Sequence, residues 1–361
     1  MNTVLILANS SAGLYDFRRE LLEALLNHGA AVIVSVPDTV KTDEITALGC
    51  SVVQTKLSRH GTNPIAEYML YRDYLRLLDR YRPGMVLTYT VKPNLYGALA
   101  AKRRRIPYIV TVTGLGAAFR RGGLIRRYAG FMYRRSLAGA SCVFFQNEAN
   151  KSLFETEGLL RGRGRVVAGS GVNLEAFPAE PYPQEEAVRF LFVGRMMRDK
   201  GIEEYLQAAR ALHDAHTHFY IVGYADGDCD DLLKAAEEEG SVSYLGFHKD
   251  VHPFYKAMSA VVLPSYHEGM SNVLLEGAAT GRPLIATDIS GCREIVENGK
   301  NGFLCAPEDA PSLTRALQKF LSLTRDARAA MGAQARIQAE KYFDRKKVVE
   351  AYMEEIRNGI V

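Results

Sequence analysis

The sequence predicts an α/β protein of two tandem, Rossmann-like doubly wound domains. Three observations carry that expectation. The 361 residues exceed the size of one typical domain. Short apolar runs alternate with amphipathic helical runs through both halves, the pattern of a parallel sheet wrapped by helices. A cluster of prolines, Pro178, Pro181 and Pro183, separates the two alternating series. The expected domains are residues 1–170 and 171–342, with residues 343–361 as a C-terminal helix that packs back on the first domain. Two such units facing each other enclose a central cleft at the carboxyl ends of their strands, where ligands bind.

The first half opens on Val4–Ala8, which reads as a strand. Phe17, Leu21, Leu22, Leu25 and Leu26 then fall at helical spacing within 15–27. Strand, helix and strand follow at 31–36, 43–48 and 51–55. A longer amphipathic helix spans 64–81 and stops at Pro83. Residues 85–89, 93–104 and 108–112 continue as strand, helix and strand. Gly114, Gly116, Gly122 and Gly123 then mark a loop before a helix over 124–137. That helix carries Leu124, Tyr128, Phe131 and Met132 along one side and Arg126, Arg127 and Arg134 along another. A strand at 141–145 and a helix at 148–157 precede Arg161-Gly-Arg-Gly-Arg165, expected as a solvated basic turn before a strand at 166–167.

The second series runs strand 189–193, helix 202–212, strand 218–222, helix 230–239, strand 242–245, helix 251–257, strand 260–263, helix 271–280 and strand 283–286. Helices over 313–323, 326–341 and 345–357 close it.

Composition excludes several classes. With 47% apolar and 24% charged residues the chain is ordinary for a soluble globular protein. No apolar run is long enough to span a bilayer. Residues 3–8 are too short, and lack the basic start, for a signal peptide. Five cysteines without a Cys-x-x-Cys pair argue against structural zinc and a disulfide framework, and fit a reducing cytoplasm. Residues 1–170 hold 24 Lys and Arg against 12 Asp and Glu, whereas the remainder holds 21 against 29. A basic first half joined to an acidic second half points to an anionic partner for the first alone: anionic lipid, a lipid phosphate or nucleic acid. The basic turn lacks interleaved aromatics, which argues against nucleic acid.

The most informative stretch is Pro264-Ser-Tyr-His-Glu268-Gly269-Met270-Ser271-Asn272-Val273, followed by Leu274-Leu-Glu276. A buried strand runs into a polar loop and then a helix N-terminus. Unpaired amides and the positive dipole end there favour an anion. Gly269 lets a ligand approach the backbone. Glu268 and Glu276 would repel phosphate but accept hydrogen bonds from sugar hydroxyls. The ligand is therefore expected to be part phosphate and part sugar. In the same half, Gly194-Arg195…Lys200-Gly201 follows a strand, and Arg195 and Lys200 place cations where a diphosphate would lie. Helix N-terminal donors with Arg and Lys can neutralise a departing diphosphate without a metal.

Gly194-Arg195…Lys200-Gly201, together with Pro264-Ser265…Glu268-Gly269 and Glu276, resembles the retaining GT-B glycosyltransferases of family 4, over essentially the whole chain. That resemblance implies transfer from a UDP-sugar with no metal required. It places Glu268, Arg195 and Lys200 in catalysis, Glu268 on the donor sugar and Glu276 on the ribose. Gly194, Gly269, Met270, Ser271, Asn272 and Val273 would line the sugar and phosphates, and Phe247, after Gly246, would seat the base. Gly13, in Ser10-Ser-Ala-Gly13, stands where many members have a glycine-rich loop facing the phosphates. Where many members carry a histidine, this chain has Val112-Thr113, so that histidine's role is not carried over.

Tyr15-Asp-Phe-Arg18, Leu57-Ser-Arg59…Asn63-Pro64, Lys92-Pro-Asn94 and Thr113-Gly-Leu-Gly116 resemble a subgroup acting on undecaprenyl-diphosphate-linked sugars, whose prototype adds N-acetylgalactosamine to lipid-linked diacetylbacillosamine. The resemblance implies a lipid-linked saccharide acceptor on the first domain, with Lys92, Asn94 and Thr113 on the acceptor side. It implies a cytoplasmic enzyme, peripheral on the inner face of a bacterial membrane and drawn there by the basic domain. The amphipathic helix over 124–137 either packs on its own domain or contacts that anionic surface. A nucleotide-sugar epimerase or hydrolase of the same fold, and a non-catalytic nucleotide-sugar-binding protein, remain alternatives. Asp226-Gly-Asp-Cys-Asp-Asp231 mimics a calcium loop, but its sixth position is aspartate where the turn needs glycine, so no metal site is expected. His248, His252 and His267 are expected to be structural or polar loop residues.

Overall fold

The computed structural model of the protein describes residues 3–57, 63–114, 123–224 and 229–359, apart from the side chain of Leu124. Ser58 and Arg59, Leu115 and Gly116, and 226–228 of the calcium-like stretch lie outside the described residues. The chain divides into two compact units: residues 1–170 with 346–361, and residues 171–345.

The first unit is a parallel sheet of β1 (Val4–Leu7), β2 (Val32–Val36), β3 (Ser51–Gln54), β4 (Met85–Tyr89), β5 (Tyr108–Val112), β6 (Cys142–Phe145) and β7 (Gly164–Val166). The strand order is β3-β2-β1-β4-β5-β6-β7. Strands β1, β2, β4, β5 and β6 are buried along their whole length, which explains their continuous apolar runs. The crossovers are α1 (Ser11–Asn27), α2 (Thr42–Ala47), α3 (Pro64–Tyr81), α4 (Ala98–Arg104), α5 (Gly123–Leu137) and α6 (Glu148–Thr156). Asn63 caps α3 by accepting the Ile65 amide at 3.0 Å, and Pro64 takes the first turn, where its missing N–H costs nothing. A π-helical segment, Pro93–Gly97, leads into α4. There Gly97 lies close to β1, and an added Cβ would meet Leu7 at 2.5 Å.

The second unit repeats the design with β8 (Val188–Val193), β9 (Thr217–Val222), β10 (Ser243–Tyr244), β11 (Ala260–Leu263), β12 (Leu284–Thr287) and β13 (Gly302–Cys305), in the order β10-β9-β8-β11-β12-β13 and all parallel. Its helices are α7 (Ile202–Leu212), α8 (Asp230–Glu238), α9 (His252–Ala257), α10 (Asn272–Ala279), α11 (Ala310–Leu321) and α12 (Arg325–Tyr342). Strand β13 is absent from the sequence expectation. Its four residues open on Gly302, which carries no strand signal. Glycine is needed there because a Cβ would lie 1.8 Å from the Leu284 carbonyl.

Helix α13 (Arg345–Gly359) returns to the first unit, where Val348, Tyr352, Met353 and Ile356 join the core beneath α1. Tyr352 exchanges a 2.6 Å hydrogen bond with Thr111 and packs on Phe144 at 4.2 Å between ring centroids. The basic turn is solvent-exposed at 161–163, as expected, and it is also ion-paired. Arg163 meets Glu355 at 2.8 Å, and Arg165 meets Glu355 at 2.5 Å and Glu354 at 2.8 Å. Helix α5 packs on its own domain through Ala129, Tyr133, Ser136 and Leu137, while Tyr128 and Phe131 of the apolar stripe are exposed.

Candidate active site

In each sheet the strand order reverses between two neighbours, β1 and β4 in the first unit and β8 and β11 in the second. Crossovers leaving such a pair depart on opposite sides, which opens a crevice at their carboxyl ends. In the second unit the loops after β8 and β11 are the two stretches singled out in the sequence. They are stapled together: the Tyr266 amide donates to the Asp199 carbonyl at 2.9 Å, and the Ser265 hydroxyl donates to it at 3.2 Å. Gly201 permits this approach. It sits at φ 73°, and a Cβ there would lie 2.0 Å from the Pro264 carbonyl oxygen.

Lys200 and Glu268 meet across this junction at 2.6 Å, both partly buried. Arg195 lies exposed on the same loop as Lys200. Gly194 takes φ 147°, and Gly223 packs so closely on its carbonyl that only glycine fits. Gly269 follows Glu268 directly, and Gly291 lies against the carbonyls of both.

Helix α10 starts at Asn272 with Ser271 as its cap, whose hydroxyl accepts the Leu274 amide at 3.3 Å. The Ser271 amide donates to the Gly291 carbonyl at 3.0 Å. This narrows the expectation that Ser271 offers its backbone to a ligand. The amides of Asn272 and Val273 are the first-turn donors without a partner among the described residues. The Asn272 Oδ1 is buried and likewise unpartnered. The Met270 side chain is buried, so Met270 can face a ligand through its backbone alone.

Glu276 lies one turn into α10, and its Oε2 accepts from the Tyr255 hydroxyl at 2.9 Å. Burial, reinforced by the Glu276 charge, pushes the Tyr255 phenol well above its ordinary range, so it remains a donor. Tyr255 was not anticipated: it sits on the short α9, with no spacing that links it to Glu276. Phe247 is exposed and packs edge-on against Tyr224 at 6.1 Å, a second unanticipated residue, at the end of β9. Cys292 lies near Glu268 and Lys200, and burial first, then the Glu268 charge, holds its thiol well above the usual range. It is no nucleophile at neutral pH.

In the first unit Gly13 is the third residue of α1, in the first turn after β1, and its amide donates to the capping Ser10 hydroxyl at 3.3 Å. The Ser11 amide donates to Asp38 at 3.1 Å, so a carboxylate already occupies this helix N-terminus. Asn94 is 1% exposed, and both ends of its amide are engaged. It accepts from Thr88 at 2.8 Å and donates to the Thr111 carbonyl at 2.7 Å, which ties β4 to β5. Lys92 pairs with Glu67 at 2.6 Å, and Thr113 lies half-buried just past β5. Arg18 is buried with its guanidinium over Tyr89 at 5.3 Å and Tyr352 at 5.7 Å, which gives it a structural role. Among the described residues no cluster of three or more His, Cys, Asp or Glu could hold a metal ion, and no helix is long and apolar enough to cross a membrane.

Residues 13–170 match the family described as glycosyl transferase 4-like domain, and residues 187–322 match glycosyl transferases group 1. The chain is 27% identical to the N,N'-diacetylbacillosaminyl-diphospho-undecaprenol alpha-1,3-N-acetylgalactosaminyltransferase of Campylobacter jejuni, over 87% of this chain and 88% of that one. It is 23% identical to the capsular polysaccharide biosynthesis glycosyltransferase CapM of Staphylococcus aureus, over 76% of each. Among solved structures, Anabaena Alr3699/HepE in complex with UDP superposes with a TM-score of 0.79 at 18% identity, covering 99% of this chain and 100% of that one. Sucrose-phosphate synthase from Thermosynechococcus elongatus gives 0.80 at 19% identity, covering 99% of each. The two matched domains, the repeated Rossmann topology and the Glu268–Glu276 helix start agree: the chain belongs to the family 4 glycosyltransferases of GT-B fold, enzymes of glycan assembly.

Proposed function

We propose that this enzyme moves a hexose, an N-acetylhexosamine, from its UDP conjugate to a lipid-linked saccharide with retention of configuration. The observation that carries the donor assignment is the pairing of a helix N-terminus with Lys200 on one side and Glu276 on the other. The amides of Asn272 and Val273, with Lys200 and Arg195, would hold the diphosphate and stabilise it as it departs. Glu276, fixed by Tyr255, would accept from the ribose hydroxyls, and Glu268 from the sugar. Phe247 and Tyr224 would offer the base a stacking edge.

Retention is supported by what surrounds the sugar position. Glu268 is held by Lys200, which suits a carboxylate that grips hydroxyls better than one that attacks carbon. The Cys292 thiol is buried and protonated. Front-face attack, with the leaving phosphate taking the acceptor proton, needs neither group as nucleophile. The lipid-linked acceptor rests on the likeness to the Campylobacter jejuni enzyme and on the excess of cations in residues 1–170. Ile125, Tyr128 and Phe131 stand exposed beside Arg126, Arg127 and Arg134 on α5, an arrangement suited to a peripheral contact with anionic lipid.

A donor screen that reads UDP release with undecaprenyl-diphosphate-linked acceptors tests the proposal. Release that depends on both a UDP-N-acetylhexosamine and the lipid acceptor supports it. Consumption of the UDP-sugar by enzyme alone overturns it in favour of an epimerase or hydrolase.

A further inference from the structure

A groove of about 710 Å³ lies between α3, α4 and α5 of the first unit, within the size range of small-molecule sites. Tyr68 and Tyr71 of α3, Tyr96 of the π-helical segment and Tyr128 of α5 line it. A tyrosine presents a flat apolar face and a hydroxyl, which suits the C–H faces and hydroxyls of a sugar ring. Lys102, Arg103 and Arg135 line it too.

The spacing orders these groups along the groove. Tyr96 to Arg103 and Tyr128 to Arg135 are both seven residues, two turns on one helix face. Helices α4 and α5 both leave the carboxyl ends of parallel strands, so both run from a tyrosine to an arginine in the same direction. At about 1.5 Å per residue the aromatic and cationic ends lie about 10 Å apart.

The far end is electropositive. Glu67 is the one acid among the lining residues, and Lys92 already pairs with it. Arg103 has no ion-pair partner among the described residues. Lys102 donates to the Arg135 carbonyl at 3.0 Å, and the Arg135 guanidinium lies over Phe131 at 5.0 Å. The neighbouring depression adds Arg72 and Arg76, of which Arg76 pairs with Asp73 at 2.7 Å, while its Asp79 is held by Arg104 through two bonds of 2.6 and 2.7 Å. Beside the groove, Ile65 and Met69 of α3 and Ile125 of α5 are exposed by 71%, 58% and 44%.

We propose that this groove binds the saccharide-diphosphate segment of a prenyl-diphosphate glycolipid. The sugar lies against the tyrosines at the carboxyl end of the sheet, where the exposed Ile65, Met69 and Ile125 also stand, and the diphosphate lies against Lys102, Arg103 and Arg135. The assignment rests on the lipid-linked acceptor proposed above and gives it a place. A free sugar would leave the cations unused, and a phospholipid headgroup would leave the tyrosines unused.

The test is isothermal titration of the full-length protein with farnesyl-diphosphate-linked N-acetylglucosamine, farnesyl diphosphate, and N-acetylglucosamine alone. The conjugate should bind more tightly than either half. Arg103→Gln with Arg135→Gln should weaken the conjugate and farnesyl diphosphate by about tenfold or more, the effect of losing charge-assisted contacts to phosphate. Tyr128→Ala should weaken the conjugate and leave farnesyl diphosphate unchanged. UDP affinity and the unfolding temperature serve as controls for folding. The assignment falls if the wild type does not bind the conjugate, or if the double variant binds it as the wild type does. It falls too if that variant loses only its adhesion to phosphatidylglycerol vesicles, which would make the face a bilayer contact. Conjugate binding that responds to these variants, with no transfer from any UDP-sugar, would sink the transfer proposal and leave the groove standing.

Discussion

Lys200 and Glu268 form a 2.6 Å ion pair that joins the loops leaving two adjacent strands, β8 and β11. In the proposed donor site the pair would set a cation for the diphosphate against a carboxylate for the sugar, each orienting the other. Lys200→Met should lower kcat about 100-fold, the scale of losing one preorganised donor to a developing charge. Glu268→Gln should act mainly on the donor KM. Steady-state kinetics separate the two, and unchanged kinetics in both variants would remove the pair from the site.

Glu276 is gripped from behind by Tyr255. Glu276→Ala should weaken UDP binding about tenfold or more, the scale of a hydrogen bond to a charged group. Tyr255→Phe leaves the carboxylate but removes this hydrogen bond, and should cost about threefold. Titration with UDP reads both; a Tyr255→Phe variant with full affinity would show that Glu276 needs no such positioning.

Gly201 holds the two loops of the site together at close range. Gly201→Ala meets both an unfavourable φ of 73° and a carbonyl oxygen 2.0 Å from the new Cβ. The loops must part, at a cost of about 3 kcal/mol. Thermal unfolding should show Tm lower by roughly 5 °C or more. An unaltered Tm would mean that the two loops are not stapled in solution.

Glu355 and Glu354 are neighbours with unequal roles. The side chain of Glu355 is 3% exposed and meets two arginines, whereas that of Glu354 is 50% exposed. Glu355→Ala should destabilise by about 2–3 kcal/mol, because it leaves Arg163 and Arg165 short of their partner in a partly buried site. Glu354→Ala should cost far less, because an exposed ion pair contributes little. Urea denaturation of the two variants checks the contrast, and equal losses would refute it.

All five cysteines are buried, and none is in a disulfide. Burial pushes the thiols of Cys50 up to about 11, Cys142 to about 12 and Cys305 to about 12. Thiolate is the reactive form, so native enzyme at pH 8 should react slowly with a disulfide reagent and keep its activity. Five equivalents should react at once in denaturant. Rapid modification of native enzyme would contradict the burial.

The fold was legible because its strands are buried on both faces and its helices on one, so periodicity marks them directly. Helix Pro64–Tyr81 and strands Met85–Tyr89, Tyr108–Val112 and Ala260–Leu263 begin and end where the sequence places them. The Glu268–Glu276 stretch was legible because a loop, a helix start and two carboxylates are contiguous. Partners from distant elements were not. Tyr255 reaches Glu276, and Asp38 reaches the start of α1, only through the tertiary fold. Asn94 misled because a buried amide that joins two strands is written with the same letter as one that meets a ligand.

The return of α13 to the first unit has a consequence for synthesis. The second unit is contiguous in the chain, so it can close as soon as residue 345 leaves the ribosome. The first unit cannot. Until residues 346–359 emerge, Thr111 lacks Tyr352, Arg165 lacks Glu355, and Tyr89 and Phe144 lack the ring that packs on them. The half that is translated first is therefore the half that is finished last, and in a nascent chain that uncovered apolar patch is the surface a chaperone would hold.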